Sequence, residues 1–331
     1  VFDAHSDLPF KVIREREAGR KSVVAEDFLP GMRAGGILAR VAAVYVDDEY
    51  LPEMALHRAL AVLAELHDDV AGSDGVELAT TADDLDGALD DAAVTLVLGM
   101  EGAEPLMGDP RLLDAFYRCG VRLLTLTHSR RNAVGEGAPL SPEFGATHRT
   151  PGGLSTTGVA VVERAEDLGV VVDVSHLNDL GLGDVLSVTN SQVVASHSNC
   201  RAVCDHPRNL TDEQIAAVAE TGGVVCLTAV GSYLAATDPT LDDLCDHVMH
   251  AVNIAGVEHI GLGFDFFEYM LEYATERERE RISDITVAAD FKADESVAAV
   301  PGALAEWGFS DDEVAAICGK NLLRTFQSVL V

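Results

Sequence analysis

Lysine is nearly missing from this 331-residue sequence: Lys11, Lys21, Lys292 and Lys320 are the only four among 23 basic residues. Set against 55 Asp and Glu, the basic residues leave a formal charge of −32. A surface that acidic repels phosphate backbones and anionic bilayers, so neither nucleic acid nor a membrane surface is an expected partner. Abundant carboxylates with scarce lysine form the halophile-like composition of a protein kept soluble in molar salt. Nowhere does the sequence reach the ~20 consecutive apolar residues of a membrane helix. Its six cysteines form no CxxC pair and there is no secretory h-region, which argues against a zinc ribbon or a disulfide scaffold. They read as small buried apolar residues. The absences together describe a soluble, cytoplasmic protein, and the 48% hydrophobic content excludes disorder as its main state.

What the sequence does contain is alternation. Short β-branched runs recur at Val1–His5, Ile37–Val46, Val94–Glu101, Val121–His128, Val170–His176, Gln192–His197, Gly223–Thr228 and His259–Phe266. Helical periodicity fills the intervals at Pro52–Val70, Thr81–Leu89, Pro110–Cys119, Thr157–Leu168, Asp179–Val188, Thr211–Glu220 and Leu241–Ala255, and Asp311–Ser328 closes the chain. Strand–helix alternation implies a parallel sheet, and eight repeats in this length suit a (β/α)8 barrel of the TIM type. No Pro/Gly/Ser linker divides it, so residues 1–331 read as a single α/β domain. The irregular stretch Ser129–Ser155 follows a strand and is a candidate active-site loop.

The strand ends carry the chemistry. The first runs into His5 and Asp7, the third ends at Glu101 and the fourth at His128. The fifth stops at His176, the sixth at His197, and the eighth carries Asp265. Barrel enzymes build their sites at that C-terminal face. Residues i and i+2 of a strand point the same way, so His5 and Asp7 can grip one ion together. With His176, His197 and Glu101 they make a three-His, two-carboxylate set suited to Zn²⁺. Five ligands exceed one catalytic tetrahedral site, whereas two ions bridged by a carboxylate use them all. Such a pair acidifies a bridging water and polarises a carbonyl, which implies metal-assisted hydrolysis. Asp3 shares the inward alternation of His5 and Asp7. Asp173, three residues before His176, is expected on the opposite side as a buried structural acid. His247 and His250 lie i, i+3 on a helix that points away from the site, and His148 lies in the long loop.

These residues fall in stretches that resemble the renal (membrane) dipeptidase family of binuclear zinc peptidases. The matching segments are DAHSDLP at Asp3–Pro9, GMEGAEPL at Gly99–Leu106, LTLTHSRRN at Leu124–Asn132 and VVDVSHLND at Val171–Asp179. SHSNCRAVCDHPRNLTDEQ at Ser196–Gln214, HIGLGFDF at His259–Phe266 and GKNLLR at Gly319–Arg324 complete the order. The resemblance implies that His5 and Asp7 hold one zinc, His176 and His197 the other, and that Glu101 bridges them. It implies that His128 stabilises the oxyanion and that Arg208 takes the substrate's terminal carboxylate. Asp265 would receive the proton of the bridging water and pass it to the leaving amine. His206 and Asn209 would orient the loop of Arg208. The implied substrate is a dipeptide, with a D-residue tolerated at its C-terminal position, and the implied assembly is a homodimer.

The sequence departs from the family after Asp265, where Phe267-Glu268 replaces a second acid and its glycine. That departure bears on side-chain selectivity. Two rivals remain: hydrolysis of another small amide, such as an N-acyl amino acid or a lactam, and a metal-binding protein without catalysis. A carboxylated-lysine bridge is disfavoured, because none of the four lysines sits at an expected strand end.

Overall fold

Nearly every strand residue is apolar on both faces, as in Val94-Thr-Leu-Val-Leu-Gly-Met-Glu101, which is the pattern of a sheet buried from both sides. In the computed structural model, which describes residues 1–90, 93–140, 150–276, 279 and 285–330, these runs form nine parallel strands. They are β1 (Phe2–Ser6), β2 (Ala39–Tyr45), β3 (Val76–Ala79), β4 (Val94–Glu101), β5 (Val121–Thr125), β6 (Val171–Asp173), β7 (Val193–Ala195), β8 (Val224–Leu227) and β9 (Ile260–Leu262). Eight of them close a ring in the order β1-β2-β4-β5-β6-β7-β8-β9, sealed by Asp3 against Leu262. The result is a single-domain (β/α)8 barrel, as the alternation predicts. β3 is the addition. It pairs with the first half of β4, Val76 opposite Val94 through Ala79 opposite Val97, and β5 pairs with the second half.

Alternation along the strands separates two apolar layers. Phe2, Ala4, Val41, Val97, Leu123, Val171, Val194 and Cys226 point into the barrel, and Leu322 and Phe326 of the closing helix plug its floor. Phe2 stacks on Phe326 at 5.5 Å. The alternate residues, such as Leu96, Leu98, Leu124 and Val172, face the surrounding helices.

Several elements differ from expectation. Thr81–Leu89 is not a helix beyond one 3-10 turn at Asp83–Leu85. The Asp84 carboxylate accepts from the backbone N–H groups of both Thr80 and Thr81, satisfying locally what a helix would satisfy by repetition. The closing helix is broken: Asp311–Ala315 and Asn321–Val329 flank a wider turn with non-helical backbone at Gly319. A helix at Leu8–Glu17, directly after β1, was not anticipated.

The strands carrying the site residues are also shorter than their sequence runs. β5, β6, β7 and β9 stop at Thr125, Asp173, Ala195 and Leu262, so His128, His176, His197 and Asp265 lie on the first turns beyond them. His176 and Asp265 have φ of 68° and 57°. Left-handed backbone cannot continue a ladder, and non-glycine residues held there recur at functional sites.

Candidate metal centre and active site

A bulge in β1 decides where its polar residues point. Between Asp3 and Ser6 the strand advances three residues while β2 advances only two, from Arg40 to Ala42. Below the bulge Phe2 and Ala4 face inward, so Asp3 faces out and accepts from Arg40 Nε at 2.9 Å. Asp3 therefore does not share the orientation of His5 and Asp7. Above the bulge the parity resets, and His5 turns into the mouth of the barrel.

There His5 Nε2 lies 3.7 Å from Glu101 Oε1, 3.8 Å from Asp7 Oδ1 and 3.8 Å from Asp265 Oδ1. Glu101 Oε1 lies 3.1 Å from His176 Nε2 and 3.6 Å from His197 Nε2. Three overlapping triads result: His5–Glu101–His197, Glu101–His128–His176 and His5–Asp7–Asp265, with the ligand atoms of each within 4.8 Å of one another. All five residues expected to bind metal are thus brought together, with His128 and Asp265 at the margin.

Both ring nitrogens of His5, Asp7 Oδ1, His176 Nδ1 and His197 Nε2 are buried without a hydrogen-bond partner among the described residues. Unpaired buried polar atoms are costly, and so many in one cup fit ligands awaiting a cation. The electrostatics agree. Burial pushes the Glu101 and Asp265 carboxyls up, Asp265 to about 7. Burial also opposes charge on His5, yet Glu101, Asp7 and Asp265 together draw its pKa up. Burial, reinforced by Arg208, holds His176 and His197 well below the usual imidazole range. Imidazoles kept neutral suit metal ligation, and a bound cation takes over the charge that His5 otherwise supplies.

Arg208 is buried, with Nη2 donating to the His197 carbonyl at 3.3 Å and Nε unpaired. Its guanidinium carbon lies 5.6 Å from the Tyr233 ring. No carboxylate of the described residues pairs with it directly, and its charge opposes the burial that raises the Glu101 and Asp265 carboxyls. His206 and Asn209 do fix its loop: His206 Nδ1 accepts from Arg208 N at 3.2 Å, and Asn209 Nδ2 donates to the Cys204 and Tyr233 carbonyls. The His128 ring stacks on His176 at 4.4 Å and packs against Tyr45 at 4.9 Å.

A cavity of about 190 Å³ opens over this cup. That is below the ~300 Å³ at which drug-sized ligand sites begin, so it suits a small substrate. Its walls include Phe10, Arg14, Tyr45, Tyr233 and Met270, none of them a candidate from the sequence. Tyr45 had a signal: it continues the inward series Val41, Ala43 to the end of β2. Arg14 and Phe10 had none, because their helix was not recognised. Phe267, at the departure from the family pattern, faces the cavity together with Leu271.

The described part of the Ser129–Ser155 stretch is tied to the site. Leu140 lines the cavity, and Ala138 N donates to the His176 carbonyl. His148 lies outside the described residues. His247 is structural: its Nδ1 accepts from Cys200 N and its Nε2 lies 3.0 Å from the Leu234 carbonyl, while His250 pairs with Asp212. Asp173 is fully buried, but it points into the barrel beneath the cup rather than away from it. Parity along the strand fails there because β6 ends at Asp173, and the chain turns before reaching His176.

The model of the membrane dipeptidase family (peptidase family M19) matches residues 1–330. Dipeptidase verJ of Clonostachys rogersoniana is 30% identical over 257 residues, covering 78% of this chain and 61% of that protein. Several other curated dipeptidases are matched over about half their length, as in Schizosaccharomyces pombe and Aspergillus oryzae, at 53% and 52%. A dipeptidase AC of the same peptidase family superposes with a TM-score of 0.86 at 25% identity, covering 100% of this chain and 98% of its own. A metallopeptidase from Rhodobacter sphaeroides, liganded with a phosphinate mimic of L-Ala-D-Ala, gives the same TM-score at 24% identity and 99% coverage of both chains.

Proposed function

Because this chain belongs to the membrane dipeptidase family of metallopeptidases, we propose that it hydrolyses the peptide bond of dipeptides with two zinc ions held in the barrel mouth. The observation that carries the proposal is the cup of unpaired buried nitrogens and oxygens contributed by His5, Asp7, His176 and His197. His5 and Asp7 would hold one ion and His176 and His197 the other. Glu101, which belongs to two of the three triads, would be the shared ligand. When bound, the ions supply an acidified water and polarise the scissile carbonyl.

The chain's own residues do the rest. Arg208 receives the substrate's terminal carboxylate, its Nε being the buried donor without a partner among the described residues. Carboxylate recognition is indifferent to side-chain stereochemistry, so a D-residue is accepted at that position. His128 reaches from the β5 turn to the carbonyl oxygen and stabilises the charge developing there. Asp265 takes the water's proton on its carboxylate and delivers it to the leaving amine, a shuttle suited to a carboxyl raised toward neutrality. Closure of the far end by Arg208 limits the substrate to two residues.

A substrate panel tests this reading: L-Ala-L-Ala, L-Ala-D-Ala, an amidated dipeptide, an N-acyl amino acid and a lactam, each with Zn²⁺ and with a chelator. Chelator-sensitive cleavage of both free dipeptides, with poor turnover of the amidated one, is expected. Turnover confined to the N-acyl or lactam substrates would overturn it, and equal turnover of the amidated dipeptide would remove Arg208 from its role.

A further inference from the structure

Beneath the metal cup lies a hydrogen-bonded group that the proposed reaction does not use. Asp173, on the inner face of β6, has no solvent exposure and is saturated with donors. Its Oδ1 accepts from the backbone N–H of Ser175 at 3.0 Å and of Ser196 at 2.9 Å. Its Oδ2 lies 2.6 Å from both Thr125 Oγ1 and Ser196 Oγ. A carboxylate offers about four acceptor sites and no proton, so two amides and two hydroxyls fill it, and both hydroxyls must donate. Ser196 Oγ has only one hydrogen. Having donated it to Asp173, it can only accept from its other neighbour, His197 Nδ1, at 2.7 Å.

That fixes the proton on His197. Nδ1 must carry the hydrogen, and Nε2 must then present a lone pair. Nε2 is the buried, unpartnered atom 3.6 Å from Glu101 Oε1. Among the described residues both nitrogens of His5 lack partners, and His176 has none at Nδ1, its Nε2 lying 3.1 Å from Glu101 Oε1 on the side of the cup. A second bond holds the backbone at the same point, His197 N donating to Ser175 Oγ at 3.0 Å.

We infer that Asp173 and Ser196 are positioning residues that lock His197 in its Nδ1–H tautomer, so that this ligand is oriented and metal-ready before any ion arrives. The inference rests on the reading of His197 as a metal ligand. It goes beyond that reading by assigning the proton and the two residues that fix it. Partners behind a ligating imidazole typically contribute about 10–100-fold to metal affinity.

The test is zinc affinity by chelator competition in wild type, Ser196→Ala and Ser196→Thr, with thermal midpoints of the metal-free proteins measured in parallel. Ser196→Ala is expected to weaken zinc binding about 10–100-fold, and Ser196→Thr, which keeps the hydroxyl, to restore most of it. Wild-type affinity in Ser196→Ala would overturn the inference, as would a change confined to the metal-free midpoint. Wild-type protein that binds no zinc at all would instead sink the metal reading itself. A variant-free check is histidine ¹⁵N NMR of metal-free wild type. His197 is expected as the neutral Nδ1–H form, and an Nε2–H form would contradict the assignment.

Discussion

Two side chains test the proposed chemistry at the level of the single residue. Asp265 stands 3.8 Å from His5 Nε2 at the edge of the cup. Replacing it with Asn keeps its shape and removes its basicity. Turnover is expected to fall about 10²–10⁴-fold with bound metal retained, and loss of metal in parallel would make Asp265 a ligand rather than a proton carrier. Arg208→Ala is expected to lower kcat/KM for free dipeptides about 10–100-fold, the worth of a charge-assisted hydrogen bond. Turnover of an amidated dipeptide should hardly change.

A third residue sets a pH dependence. Burial, aided by Arg208 and Arg201, lowers the His206 pKa to about 4. Its neutral Nδ1 is needed to accept from Arg208 N. Unfolded chains bind this proton near 6.5, so between pH 6.5 and 4 the unfolded state holds more protons. The stability this group contributes is therefore complete above 6.5 and is lost as pH falls toward 4. Denaturant titrations at stepped pH should show this slope, and His206→Asn should flatten it. The sequence showed these residue types plainly, because His, Asp and Glu at strand ends stand out against apolar runs. The backbone that aims them was hidden: the β1 bulge that turns Asp3 away, and the left-handed turns at His176 and Asp265, depend on contacts between distant strands.

At the level of the element, close packing of loops against strands positions the cup. A Cβ on Gly263, just past β9, would lie 1.8 Å from the Ser196 carbonyl oxygen, and one on Gly137 would lie 1.7 Å from that of His128. Gly263→Ala is expected to cost about 1–3 kcal/mol and to weaken metal binding by displacing Asp265 and the Ser196–His197 turn together. Calorimetry with a zinc titration reads both, and a variant with normal stability would show that β9 yields without strain. The barrel strands were legible because each is a continuous apolar run bounded by turn residues. β3 was not, since Val76-Glu-Leu-Ala79 is short and partly exposed and has meaning only beside β4. The Thr81–Leu89 segment misled because its helical spacing is real, while the Asp84 carboxylate captures the amides a helix would need.

Across the whole molecule, charge and barrel pull apart. A net charge of −32 repels itself, and the exposed ion pairs, such as Arg111 with Asp109, each contribute little against it. Screening shortens the Debye length from about 10 Å at 0.1 M to about 3 Å at 1 M, so the thermal midpoint is expected to rise with KCl over that range. A midpoint indifferent to salt would show that the acidic surface does not govern stability. The acidic composition suggests that dependence, and eight strand–helix repeats in this length already implied a closed ring, whose strand order the pairing supplies. No described helix is long and apolar enough to cross a membrane.

The most direct test of the whole account is turnover of L-Ala-L-Ala as Zn²⁺ is added back stepwise to protein stripped of metal. No activity without metal, rising to a plateau at two equivalents per chain, is the expected result. Full turnover in the stripped protein, or none when both equivalents are bound to folded protein, would contradict it.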